Sequence, residues 1–212
     1  MKLIRISVLL PLMLGSLLLA FPPGDKVTAF EESGVIVDIQ NFFDAAAEQA
    51  NSYSPVSAGQ GRHALVTSSG IYAFLETPSN EAHLKGIPAG SSVRLSGRLL
   101  TNGTLLHIDK ITALDATADI DLDVYRSAKG ERVELTGQNL CQCGLDVGDL
   151  PHSCQLGHLH HLQANDGKIY HYLQYGDAQK AYVGKGSHFK QVAIKATLLP
   201  GQYLLVDEVT VQ

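Results

Sequence analysis

The chain has 212 residues, 45% of them hydrophobic and 17% charged, with 16 Lys and Arg against 21 Asp and Glu for a net charge of −5. That length holds one large domain or two small ones, and the acidic balance excludes binding to nucleic-acid backbones through bulk charge. Three cysteines form at most one intramolecular disulfide, which leaves a thiol for a metal, for another chain or for solvent.

In chain order, Lys2 and Arg5 precede an apolar run over 6–20, interrupted only by Ser7, Pro11, Gly15 and Ser16. The run is short for a bilayer span, which needs about 20 apolar residues, but it fits a secretory signal over residues 1–20. Cleavage after Ala20 places Leu18 at the −3 position, an imperfect match, so an uncleaved N-terminal anchor is the alternative. No later segment is apolar enough to span a membrane. The expectation is an exported protein, periplasmic or extracellular, with no membrane span once the signal is removed. The mature part then carries 14 basic against 21 acidic residues.

The rest of the chain repeats itself. "GIYAFL" (70–75) matches "KIYHYL" (168–173), "SVRLSGRLL" (92–100) matches "QVAIKATLL" (191–199), and "HIDKITA" (107–113) matches "LVDEVTV" (205–211), with offsets of 98, 99 and 98 residues. A constant offset over three segments marks two copies of one domain, 27–115 and 120–212. Each copy reads as a strand ("GVIVDIQ" or "RVELTGQ"), a long loop and a hairpin turning at Ser-Ser-Gly or Asn-Asp-Gly. A stretch of short helical potential follows, then a second hairpin turning at Asn102-Gly103 or Pro200-Gly201. Asn102-Gly103-Thr104 is also a glycosylation sequon, which the turn explains in full. The aromatic pairs Tyr72/Phe74 and Tyr170/Tyr172 alternate along a strand and are assigned to barrel interiors rather than to base stacking. His171, between the two tyrosines, faces the other way and is assigned to solvent. The acidic stretch 115–124 is read as a solvated linker; its alternating Asp residues lack the glycine and terminal glutamate of a calcium loop.

This order of elements resembles that of five-stranded OB-fold barrels, in the style of small exported bacterial OB domains. The resemblance is to the fold and names no family. The expected fold class is all-β: two tandem five-stranded OB-like barrels with short helices, preceded by a signal peptide. OB barrels carry ligands on a face rimmed by the loop between their first two strands and the loop between their last two.

All three cysteines and four of nine histidines lie in that first loop of the second copy, "CQCGLDVGDLPHSCQLGHLHH" (141–161). Copy one keeps only His63, aligned with His160. Cys141, Cys143, Cys154 and His158 make a Cys3His set that suits tetrahedral zinc, and thiolate with imidazole also suits copper, Cu(I) above all. His160 and His152 compete for the nitrogen position. Side chains alternate along a strand, so His158 and His160 share one face and His161 the other. The Cys-x-Cys spacing is tighter than structural zinc sites use. The only methionines, Met1 and Met13, lie in the leader, which disfavours a blue-copper centre.

The functional expectation is an exported protein that binds a transition metal, copper or zinc, to hold it, transfer it or order the loop. Its partners are the metal ion and, as a further candidate, another exported protein. Two alternatives stand beside it. One is a non-metal binding module whose loop is stapled by a disulfide worth about 3 kcal/mol. The other is a thiol–disulfide redox protein, in which Cys154 attacks a strained Cys-x-Cys bond. No nucleophile elbow, phosphate loop or His-Glu-x-x-His motif marks a hydrolase or nucleotide enzyme.

Overall fold

A computed structural model describes residues 26–43, 63–150, 160–173 and 187–212. The first barrel is built from β1 (Val27–Asp38), β2 (His63–Val66), β3 (Ile71–Phe74), β4 (Ser92–Leu100) and β5 (Leu105–Ala113). The second comprises β6 (Glu131–Cys141), β7 (His160–Ala164), β8 (Ile169–Tyr172), β9 (Gln191–Leu199) and β10 (Tyr203–Val211). Both sheets close in the order 1-2-3-5-4, with strands three and five parallel and all other pairs antiparallel. That is the OB-like order, reached twice. Among the described residues no helix is long and apolar enough to cross a membrane. The expected signal segment, 1–20, lies outside the described residues.

Long first strands make closure possible. Val35 pairs with both Val66 of β2 and Ser92 of β4, so β1 bends there to serve both sides of the barrel. Gly137 does the same in β6, pairing with Ala164 and Val192. A side chain cannot fit at this bend. A Cβ on Gly34 would lie 2.5 Å from the Val66 carbonyl oxygen, and one on Gly137 would lie 2.3 Å from that of Gln163. Each barrel fills with its own alternating residues: Ile36, Leu65, Leu95 and Leu106 in the first, Leu162, Tyr170, Ile194 and Leu204 in the second.

A third core joins the two barrels. It takes Val35, Val37, Ile71 and Leu105 from the first and Leu140, Ile169, Leu199 and Leu205 from the second. The contacts are reciprocal. The turn after β4 meets β8, with a Gly103 Cβ position 3.0 Å from Ile169 Cβ. The turn after β9 meets β3, with a Gly201 Cβ position 2.8 Å from Ile71 Cβ. Residues 71 and 169, and 103 and 201, are the same positions of the repeat, so the barrels meet as the halves of a symmetric dimer do. Asn102 of the sequon belongs to this contact. Its carbonyl accepts from Ile169 N at 2.8 Å, and its Nδ2 donates to the Gly167 carbonyl at 2.9 Å.

The segment between the barrels is mostly exposed, as a solvated linker would be, but it is also partly packed. Leu122–Arg126 forms a short helix whose N-cap, Asp121, accepts from Asp123 N at 3.1 Å. Ala118, Ile120, Leu122 and Tyr125 pack against the shared core, and Tyr125 donates its hydroxyl to the Thr67 carbonyl at 3.1 Å. The acidic residues dominate its composition, but the apolar ones between them find the seam between barrels.

His107 of β5 is 7% exposed. Burial and, after it, the Arg98 guanidinium hold its pKa below the ordinary 6.5, with Asp109 opposing and His83 adding to the drop. A lowered pKa means that the unfolded chain binds this proton more readily. The stability tied to neutral His107 is therefore complete above pH 6.5 and is lost as pH falls toward the folded-state value. Urea midpoints measured from neutral pH down to about pH 5 should decline, and His107→Asn should flatten that decline.

Candidate functional site

The last residue of β6 is Cys141, and β7 opens with His160 directly opposite it. Residues facing each other across an antiparallel pair point to the same side, with Cβ atoms about 4.5–5.5 Å apart. Their side is that of the neighbouring pair two residues on, Asn139 with Leu162, and Leu162 belongs to the interior of the second barrel. Cys141 and His160 therefore look into the mouth of that barrel. Cys141 is buried at 1% exposure and His160 at 5%. Cys143 follows in the 3-10 turn Gln142–Gly144 and is exposed.

His160 has a neighbour outside the Cys/His run. Its Nε2 lies 2.7 Å from Nδ1 of His188, with the rings edge to face at a centroid distance of 4.9 Å. One proton sits between the two nitrogens. Tetrahedral coordination with zinc–nitrogen bonds of about 2.0–2.1 Å sets two donors about 3.3 Å apart. A swing of about 0.6 Å would thus let a metal replace that proton. The donor chemistry fits copper or zinc. Among the described residues, no group of three or more His, Cys, Asp or Glu side chains is arranged to hold a metal ion. Three of the six expected ligands, Cys154, His158 and His152, lie outside the described residues.

His161 turns to the other face of β7, as alternation requires, and there it meets His171 across the β7–β8 pair. The two Nδ1 atoms are 3.0 Å apart. His171 Nε2 donates to the Gly103 carbonyl at 2.6 Å and lies 3.2 Å from Thr104 Oγ1. With neutral rings this fixes the protons. His171 carries its proton on Nε2, so its Nδ1 accepts from His161 Nδ1. The pair is thus committed to binding barrel to barrel. This corrects the expectation of a solvated His171, which is 3% exposed. The outward face of a lone barrel strand would be wet, but here it is the face that docks on the first barrel.

The start of the long loop is also an inter-barrel strap. Gln142, between the two cysteines, is 1% exposed. Its Oε1 accepts from Glu76 N, and its Nε2 donates to the Glu76 carbonyl, each at 2.9 Å. Leu145, Val147 and Leu150 enter the shared core. Asp146 pairs with Lys26, and Asp149 lies 3.8 Å from Arg98. Gln142→Ala should therefore cost about 1–3 kcal/mol, the penalty for partly buried backbone groups that lose their partners. Chemical denaturation measures it.

Beside these residues a cleft of about 1070 Å³ runs between the barrels. Ile39, His63 and Leu75 line it from the first barrel, and His160, His171 and Tyr203 from the second. Copy one has no such chemistry at matching positions. Asp38 faces His63 where Cys141 faces His160, and Ala64 faces Ala73 where His161 faces His171.

Sequence reasoning missed His188. It stands 27 residues beyond the end of the cysteine–histidine run, and the one available signal was the alignment of "GSHFKQ" with "PAGSS" of copy one. The site defines the chain as a duplicated OB-like barrel protein with soft donors at one barrel mouth. Comparison with protein-family models, curated proteins and solved structures finds no match to it.

Proposed function

We propose that the protein is an exported transition-metal binder, for copper or zinc, with its site at the first loop of the second barrel. The ligands come from Cys141, Cys143, Cys154, His158, His160 and His152. One observation carries this reading: a buried thiol and an imidazole face each other at the barrel mouth, with a second thiol one turn further on. The sister barrel, with the same backbone, has Asp38 opposite His63 there. The thiol opposite the imidazole is thus particular to the second barrel, where the first has a carboxylate.

The chemistry is that of holding an ion. Thiolates bind soft and borderline cations after losing their protons, so loading releases protons and orders the loop. A closed four-donor set stores the ion or stiffens the loop, and an open one permits transfer.

One second reading draws on the inter-barrel cleft. Its volume is that of a small-molecule site and its lining is mainly apolar with a few imidazoles, which suits an exported binding module whose loop is stapled by a disulfide.

Elemental analysis combined with thiol counting on protein taken from its native compartment separates the readings. Roughly one copper or zinc per chain with no disulfide supports the metal site. One disulfide and no metal supports the binding module. A disulfide that cycles with a small thiol supports redox exchange.

A further inference from the structure

We infer that His188 is a nitrogen ligand of the metal site, partnered with His160, so that the bound ion ties β7 to the turn that opens β9. The inference rests on the metal reading and adds to it a donor that the run 141–161 does not contain.

The two copies provide an internal control. In the first barrel, Ile36 N donates to the Ser91 carbonyl at 2.9 Å, and Gly90 N donates to the Ile36 carbonyl at 2.7 Å. In the second, Asn139 N donates to the Lys190 carbonyl at 3.0 Å, and Phe189 N donates to the Asn139 carbonyl at 2.9 Å. The backbone bonding is the same, so Ala89-Gly90-Ser91 of one copy is His188-Phe189-Lys190 of the other. Three of the changes between the copies here bear on the imidazole.

The first is the imidazole itself, which replaces a methyl group and comes within 2.7 Å of His160. The second is Asn139, fully buried where copy one has Ile36. Its Nδ2 donates to the Ser187 carbonyl at 3.3 Å and lies 3.1 Å from Ser187 Oγ. A buried amide in a barrel interior fixes the residue just before His188. The third is Phe189. Gly90 takes a φ of 92° at no cost, and Phe189 takes 57°, a left-handed conformation that strains a residue carrying a side chain. Burial does not explain it, because Phe189 is 51% exposed. The ring lies edge-on to His188 at 4.2 Å. It also lies against Gly144, where a Cβ would sit 2.6 Å from Phe189 Cε1. The strained residue thus holds the His188 ring and covers the turn that carries Cys143. Strain of this kind persists where a local geometry serves a function.

The test is titration of the full chain with cobalt(II), a spectroscopic stand-in for zinc, followed by competition with zinc. His188→Ala installs the residue that the first barrel uses at this position, so the fold is expected to persist, as unchanged far-ultraviolet circular dichroism would show. The wild-type chain should bind one cobalt with thiolate charge-transfer bands. His188→Ala should weaken binding by about a hundredfold, the scale of a lost metal-site residue. It should also shift the ligand-field bands while keeping the thiolate bands, a change that a purely structural residue would not produce. Equal affinity and an unchanged ligand-field spectrum in His188→Ala would overturn the inference and leave the metal reading standing. No metal bound by the wild-type chain would overturn both.

Discussion

Gly137→Ala is expected to destabilise the protein by about 3 kcal/mol, the upper end of ordinary overpacking. The new methyl would lie 2.3 Å from the Gln163 carbonyl oxygen and 2.6 Å from the Ala164 Cα, both of them backbone that β7 holds in register. Neither neighbour is the loose end of a side chain, so the strand itself must move, and it carries His160 at its head. Gly34→Ala should cost a similar amount in the first barrel, where the Val66 carbonyl stands 2.5 Å away. Gly167→Ala provides the contrast. Its turn has φ 86° but nothing within 4 Å, so only the left-handed conformation is penalised, by about 1 kcal/mol. Urea midpoints of the three variants should separate two steep losses from one shallow loss. Three equal losses would mean that the bend in the first strand is not a close approach.

Cys143→Ser is expected to lower metal affinity by about a hundredfold or more, since loss even of a supporting residue reaches that scale. Cys143 is exposed, so stability without metal should fall by less than it does when a buried cysteine is replaced. Cys141→Ser should reduce affinity too, but its side chain is buried, so it should also lower stability without metal. Competition with a chelator of known affinity reads the first effect, and denaturation of the metal-free protein reads the second. An unchanged affinity in Cys143→Ser would remove that thiolate from the site. Loss of affinity in that variant with a loss of stability as large as that of Cys141→Ser would instead make Cys143 a structural residue.

The barrels were legible in the sequence because strand alternation and turn chemistry are local. Asn165-Asp166-Gly167 and Pro200-Gly201 mark their turns without reference to anything distant, and the 98-residue offset repeats them. Cys141 reads as part of the loop after a strand ending at Gln138, whereas β6 runs on to Cys141 and sets it opposite His160. What else the sequence hides depends on surfaces that meet only after folding. His171 has the pattern of an exposed strand residue, and only the docking of Gly103 and Thr104 from the other barrel makes it buried. Leu145, Val147 and Leu150 look like loop residues until the shared core is assembled around them. His188 was hidden for a similar reason. Its partner lies 28 residues earlier in the chain, and its setting shows only when its turn is compared with Ala89-Gly90-Ser91. The helix Leu122–Arg126 was masked by composition, since the four aspartates of 115–124 dominate the stretch it starts in.

The barrel mouth as a soft-donor metal site is tested most directly by X-ray absorption at the metal edge of the loaded full-length chain. A mixed first shell is expected, with sulfur near about 2.3 Å and nitrogen near about 2.0–2.1 Å. A shell of oxygen and nitrogen alone, unaltered by Cys143→Ser, would contradict it.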